Sequence, residues 1–155
     1  MSNVIFHDQP AYKAALNGDS FWGRYGYPAG GSVLTLQIAN PIGSGVNAFL
    51  LELQIRCTLA LTFDIWKGTF ISAAVATPFE NKYSSFPVSK TLFKGESSSA
   101  GAVGKIIYSD VWAANETKSI IFEPSMVLLP GESISAVLPA SAAVLFFHAQ
   151  LREAA

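Results

Sequence analysis

The sequence predicts an all-β chain: an antiparallel β-sandwich, jelly-roll-like, of about eight strands, behind an N-terminal arm. Three observations carry this. From residue 33 the hydrophobic period switches to two, the pattern of strands with one face buried and one wet. Turns marked by Pro or Gly recur roughly every eight to twelve residues, the spacing of sandwich strands. No internal repeat of about 20 to 50 residues is present, which sets repeat arrays aside. The 155 residues suffice for one core, so the division is an aromatic-rich arm at 1–32 and a sandwich domain at 33–155.

Within the arm, DQPAYKAALNGDS is expected to hold one short helix, with Asp8 as N-cap and Gly18 as stop. SFWGRYGYPAGGS follows, where Phe21, Trp22, Tyr25 and Tyr27 stand among glycines and a proline. The glycines argue against regular structure there, while the aromatics need a surface to cover. The arm therefore either folds over its own core or reaches onto a neighbouring subunit.

In the sandwich, Leu34, Leu36 and Ile38 alternate with Val33, Thr35 and Gln37. QIANPIGSGVNAFLLELQIRC then reverses the chain. Pro41 ends the first ladder, Gly43 and Gly45 admit positive φ, and Asn40 can bond back to the turn's own backbone. This reads as a hairpin that sets the register of two strands. The second strand has Phe49, Leu51, Leu53, Ile55 and Cys57 on one face and Glu52, Gln54 and Arg56 on the other. Leu59, Leu61, Phe63 and Ile65 then alternate with Thr62 and Asp64. GTFISAAVATP supplies another strand and YSSFPVSKTLF a short one, and KGESSSAGAVG is the stretch expected to be mobile. KIIYSDVW, KSIIFEP, SMVLLP, ESISAVLP and AAVLFFHAQLRE complete the set. Pro130-Gly131 makes a tight turn, after which Ile134, Ala136 and Leu138 share one side. In the last strand Leu145, Phe147, Ala149 and Leu151 oppose Val144, Phe146, His148, Gln150 and Arg152. That second face is half apolar, so it is expected to meet the second sheet, the arm or another subunit.

Composition narrows the function. Half the residues are hydrophobic and 14% are charged, against about 25% charged in an ordinary soluble domain. No apolar run reaches the roughly 18 to 20 residues that span a bilayer, and MSNVIFHDQP lacks the basic start and apolar core of a signal peptide. The expectation is a soluble chain made in the cytoplasm, with no membrane partner and with surplus apolar surface to bury between copies or against a larger body. A net charge of −1 without a basic stripe gives no footprint for nucleic acid.

Catalytic constellations are missing from the pattern. The lone Cys57 reads as a small core residue. His7, beside Asp8, belongs to a helix start, and His148 reads as an interface or semi-buried histidine rather than a catalytic base. No zinc-ligand spacing occurs, so no metal or other cofactor is expected. GAVGK at 101–105 lacks the phosphate-loop spacing. The carboxylates are spread, and only a pair such as Glu52 and Asp64 on adjacent strands would suit glycoside chemistry. The chain is therefore not expected to be an enzyme. Trp22, Tyr25, Tyr27, Trp66 and Trp112 would stack on sugars if clustered on loops at one end, or anchor a protein interface if spread over an arm and a side. Their strongest cluster lies on the arm, which favours the interface.

The combination of NPIGSGVNAFLLELQI, FEPSMVLLPGESISAVLP and the closing LFFHAQLREAA resembles small β-sandwich virion accessory proteins of tailed bacteriophages. The matching positions are Asn40, Pro41, Gly43, Ser44, Gly45, Pro130 and Gly131, and the resemblance covers about residues 33–153 without the arm. It implies a capsid decoration (cement) protein, or another head or tail accessory protein, usually a homotrimer. It carries no catalytic residues. The expected partners are the major capsid protein and further copies of the chain, on the capsid exterior of the virion after assembly in the host cytoplasm. The residues expected to grip the partner are Phe6, Phe21, Trp22, Tyr25 and Tyr27; those for the subunit contact are Val144, Phe146 and His148. The alternative is a tail or fibre module that binds a host surface glycan. If the arm is a grip, Trp22→Ala and Tyr25→Ala weaken capsid attachment and leave the fold intact; if it belongs to the core, they unfold the protein.

Overall fold

The computed structural model describes residues 20–68, 75–81, 87–97 and 104–155. All regular elements among these residues are strands: β1 (Ser20–Pro28), β2 (Leu34–Ala39), β3 (Asn47–Cys57), β4 (Leu61–Gly68), β5 (Val75–Pro78), β6 (Glu80–Asn81), β7 (Leu92–Ser97), β8 (Gly104–Trp112), β9 (Thr117–Leu128), β10 (Ser133–Leu138) and β11 (Val144–Ala154). They form two antiparallel sheets, ordered β6-β1-β11-β3-β9 and β5-β7-β2-β10-β4-β8. Eight strands supply the frame, as β1-β11-β3-β9 facing β2-β10-β4-β8. Within this frame every connection but the one from β4 to β8 crosses from one sheet to the other. That is the wrapping of a jelly roll, and it bears out the expected all-β sandwich. The β4-to-β8 connection carries β5, β6 and β7, which extend both sheets at the same edge.

The core fills the space between the sheets. β3 and β11 contribute Leu50, Leu53, Ile55, Cys57, Leu145, Phe147, Ala149 and Leu151; β2, β4 and β10 contribute Leu34, Leu36, Ile38, Ile65, Ile134, Ala136 and Leu138, all essentially inaccessible to solvent. Cys57 is a buried free thiol, as its place in the alternation predicts. The alternation of β3 is not continuous, however. Its pairing with β9 slips between Leu50 and Glu52, and its pairing with β11 slips opposite the same point. Leu51 is the extra residue of a bulge, and a bulge resets which face each side chain takes. Ala48 and Leu50 therefore enter the core in place of the expected Phe49 and Leu51, and Phe49 turns outward beneath the Arg152 guanidinium, 4.7 Å from its ring centre.

The expectation of one wet face also fails for β2 and β10, each buried on both sides apart from a half-buried Val137. Their second face is a polar layer of Thr35, Gln37, Ser133 and Ser135, within which Gln37 Nε2 donates to Ser135 Oγ at 2.9 Å.

The NPIGSG segment is not a hairpin, because β2 and β3 lie in different sheets. It carries the chain across the end of the sandwich, with Gly43 and Gly45 at φ 79° and 72°. Asn40 holds the crossing. Its Nδ2 donates to Val46 O and to Leu128 O, both at 2.8 Å. Its own backbone bonds to the Pro130-Gly131 turn, accepting from Gly131 N at 2.7 Å and donating to Glu132 O at 3.0 Å.

Ser20–Pro28, expected as irregular arm outside the sandwich, is a strand within the five-stranded sheet, paired with β11 over its whole length. Its glycines are seats for aromatic rings rather than breakers. A Cβ at Gly23 would meet the Tyr25 ring at 2.7 Å and Phe79 at 2.8 Å; one at Gly26 would meet Phe146 at 2.9 Å. The predicted helix after Asp8, along with Phe6 and His7, lies outside the described residues, as do residues 98–103 of the stretch expected to be mobile.

The inserted strands are pinned by the closing strand. The Glu153 carboxylate, buried near the end of β11, accepts from Lys90 N at 3.1 Å and from Thr91 N at 2.7 Å. Two expectations follow from these ties. Asn40→Ala strands two carbonyls and costs about 2 to 4 kcal/mol, read as a lower urea midpoint at constant m-value. Glu153→Ala loosens the insert before the rest, so hydrogen exchange accelerates first at the amides of Lys90 and Thr91.

Candidate interaction surface on the five-stranded sheet

The outer face of the five-stranded sheet is set by strand alternation. With Phe21, Gly23, Tyr25 and Tyr27 turned inward, β1 presents Trp22, Arg24 and Gly26 outward. The register then sets Trp22 opposite Gln150, Arg24 opposite His148 and Gly26 opposite Phe146. On the far side of β11, Phe146 faces Arg56, His148 faces Gln54 and Gln150 faces Glu52. Three strands thus converge on one surface.

Phe146 is the centre of this surface. Gly26 leaves room for the ring to lie across β1, where a side chain would block it. The guanidinium groups of Arg24 and Arg56 stand over the ring at 5.9 and 5.4 Å, within cation–π range. Trp22, 45% exposed, meets the His148 ring edge-on at 6.2 Å. Trp22, Arg24, Gln54, Arg56, Phe146 and His148 line most of a hollow of about 380 Å³.

The charges on this face are unequal. Glu52 is held by amides, accepting from Gln54 Nε2 at 2.8 Å and Gln150 Nε2 at 3.2 Å. Arg56 reaches Asn115 Oδ1 at 3.3 Å, and its buried Nε has no hydrogen-bond partner among the described residues. The ion pairs among the described residues join Lys67 to Glu132 and Lys118 to Asp110 and Glu116, so neither Arg24 nor Arg56 has a carboxylate partner there. The Lys118–Asp110 pair, 2.8 Å apart on β8 and β9, holds the Asp110 carboxyl down at about 2, chiefly through the lysine's hydrogen bond.

The candidate residues fall into two groups. Trp22, Val144, Phe146 and His148 share the outer face, so the expected grip and the expected subunit contact merge into one surface. Phe21, Tyr25 and Tyr27 do not belong to it. Phe21 is a core residue, and Tyr27 packs against the core with its ring over Gly95. Tyr25 stacks flat on Phe93 with ring centres 3.9 Å apart and donates to Pro78 O at 3.0 Å. The physical reason is the period of two: once β1 is a strand, odd and even positions must part. Arg24, Gln54 and Arg56 were missed, because a polar strand face has no signal of its own until register shows what lies beside it.

A sugar-stacking platform of five aromatics is not formed. Trp112 is fully buried and donates from Nε1 to Ile55 O at 3.2 Å, Trp66 is half-buried, and the two tyrosines point inward. Glu52 and Asp64 stand on opposite sheets and cannot act as a pair. Among the described residues no group of three His, Cys, Asp or Glu side chains could hold a metal ion, and no helix is long and apolar enough to cross a membrane. Comparison of the chain with family models, with curated proteins and with solved structures finds no match.

Trp22 and Tyr25, neighbours in sequence, should therefore respond differently. Trp22→Ala leaves the melting temperature nearly unchanged, whereas Tyr25→Ala, which empties a stacked site, costs about 3 kcal/mol. Burial first, then the nearby Glu80 carboxylate, pushes the Tyr25 hydroxyl up to about 12 from its ordinary 10. A raised folded-state value means that stability is intact below pH 10 and declines as pH rises toward 12. Tyr25→Phe should flatten part of that alkaline decline, measured as urea midpoint against pH.

Proposed function

We propose that this chain is a structural protein of a tailed-bacteriophage virion, a capsid decoration (cement) protein that attaches to the major capsid protein on the outer surface and stabilises the head. The observation that carries the reading is the outer face of the five-stranded sheet, where Trp22, Phe146 and two arginines offer a contact surface of aromatic and cationic side chains. Trp and Arg are the residue types that dominate protein interfaces. The turn motifs support the same reading, since Asn40, Gly43, Gly45 and Gly131 are the positions that let the chain cross between sheets.

Further apolar surface is available for assembly. Ile106, Ile107, Val111 and Ile121 are exposed on β8 and β9, the last strands of their sheets at one side of the sandwich. Long apolar edge strands favour association, which accords with a homotrimer. Function is then burial rather than catalysis. A standard interface removes about 1,600 Å² from water, and several linked copies gain avidity without any new kind of contact.

The alternative, a tail or fibre module for a host glycan, keeps one support, the exposed Trp22 beside Gln54 and His148. It loses the aromatic cluster that sugar stacking would use. Immunogold labelling of intact virions decides between the two. Gold spread over the head is expected, with Trp22→Ala protein failing to rebind to stripped particles; gold confined to the tail tip would overturn decoration and direct the next experiment to a glycan array.

A further inference from the structure

We propose that the hollow around Phe146 receives a carboxylate from an acidic segment of the protein partner, with Arg24 and Arg56 closing on it from either side. The proposal deepens the reading of this face as the attachment surface and rests on it. Three observations lead here. First, the two guanidinium groups flank one ring at 5.9 and 5.4 Å and have no carboxylate partner among the described residues. An arginine laid over an aromatic face still presents N–H groups at its edge to a carboxylate; Arg56 shares one of its own with Asn115 Oδ1, a neutral acceptor that leaves its charge unpaired. Second, of the acids beside this face, Glu52 is already engaged by Gln54 and Gln150, and Glu80, opposite Trp22 on β6, forms no ion pair with either arginine among the described residues. Third, the hollow, about 380 Å³, exceeds a lone carboxylate and accommodates the methylenes that lead to one, with Phe146 and Trp22 as their apolar walls.

Charge complementarity thus calls for an acid, and the setting calls for a protein. Trp22 is the one exposed aromatic of the five weighed for sugar stacking, and it sits within a sheet rather than on a loop at the end of the sandwich. A glutamate or aspartate projecting from the partner's surface meets both requirements. Its stem covers the rings, and its charge meets the arginines.

The test uses the whole protein and the Trp22 indole N–H resonance, assigned with Trp22→Phe. Three probes are titrated: an acetylated Glu-rich tetrapeptide, the same peptide with Gln for Glu, and glucuronate. The Glu peptide should shift the Trp22 resonance and the Gln peptide should not. Arg24→Gln, an exposed change, and Arg56→Gln, a half-buried one, should each weaken the Glu peptide about tenfold, compared at temperatures below each variant's own melting temperature. The Lys variants, which keep charge without the fork, should fall between. About 0.5 M salt should suppress binding as the Debye length shrinks to about 4 Å. Equal shifts from the Gln peptide, or none from any probe, would overturn the proposal, and tighter binding of glucuronate would replace the protein partner with an acidic sugar. The outcome separates from the decoration reading. If wild-type protein coats heads while both Gln variants bind them equally well, this inference falls and decoration stands. If the Glu peptide binds as expected but gold avoids the head, decoration falls and a different acidic protein owns the site.

Discussion

Asn40 has no contact with solvent, yet it makes four hydrogen bonds to three separate pieces of chain. It joins the end of β2 to the start of β3, to the last residue of β9 and to the turn that opens β10. A jelly roll depends on such a tie, because its connections cross between sheets at the ends of the sandwich. No ladder spans those crossings, and their backbone groups would otherwise be buried without partners. Once Asn40 fixes the corner, the start of β3 and the end of β9 are joined where Ala48 pairs with Leu128, both of them core residues. The Pro-rich and Gly-rich character of both turns follows from that task.

A second constraint shapes the outer face of the five-stranded sheet. β1 combines four aromatics with two glycines, and the rings need room that only the glycines leave. Tyr25 lies over Gly23 inside, and Phe146 lies over Gly26 outside. The inner pairing packs β1 against Phe79 and Phe93 and so couples it to the inserted strands. The outer pairing lays Phe146 flat enough for Arg24 and Arg56 to reach it from neighbouring strands. One rule, a ring over a glycine, thus packs the core on one side of the sheet and shapes the candidate surface on the other.

The inserted strands connect these two parts. They leave from β4, add to both sheets beside β1 and β2, and are closed by Glu153 at the far end of the chain. The closing strand therefore has three duties. Leu145, Phe147, Ala149 and Leu151 build the core, Phe146 and His148 build the outer surface, and Glu153 holds the insert. This concentration explains why one strand face reads as half apolar although it lies outside the sandwich.

The sequence by itself determined the class of fold, the inward faces of β10 and β11 and the turn positions at Asn40, Gly43, Gly45 and Gly131. These are local matters: side-chain period, proline, and the φ that glycine permits. Only the tertiary structure decided the rest. The bulge at Leu51 reverses the outlook of Phe49, and no residue type announces a bulge when both neighbours are apolar. The strand nature of Ser20–Pro28 depends on β11, whose paired residues lie 116 to 132 positions along the chain, because a glycine-rich segment has no preference strong enough to declare itself without a ladder. The candidate site is the clearest case. Trp22, Arg24, Gln54, Arg56, Phe146 and His148 come from three distant stretches, and what places them together is hydrogen-bond register between strands, a property of pairs that no single stretch of sequence contains.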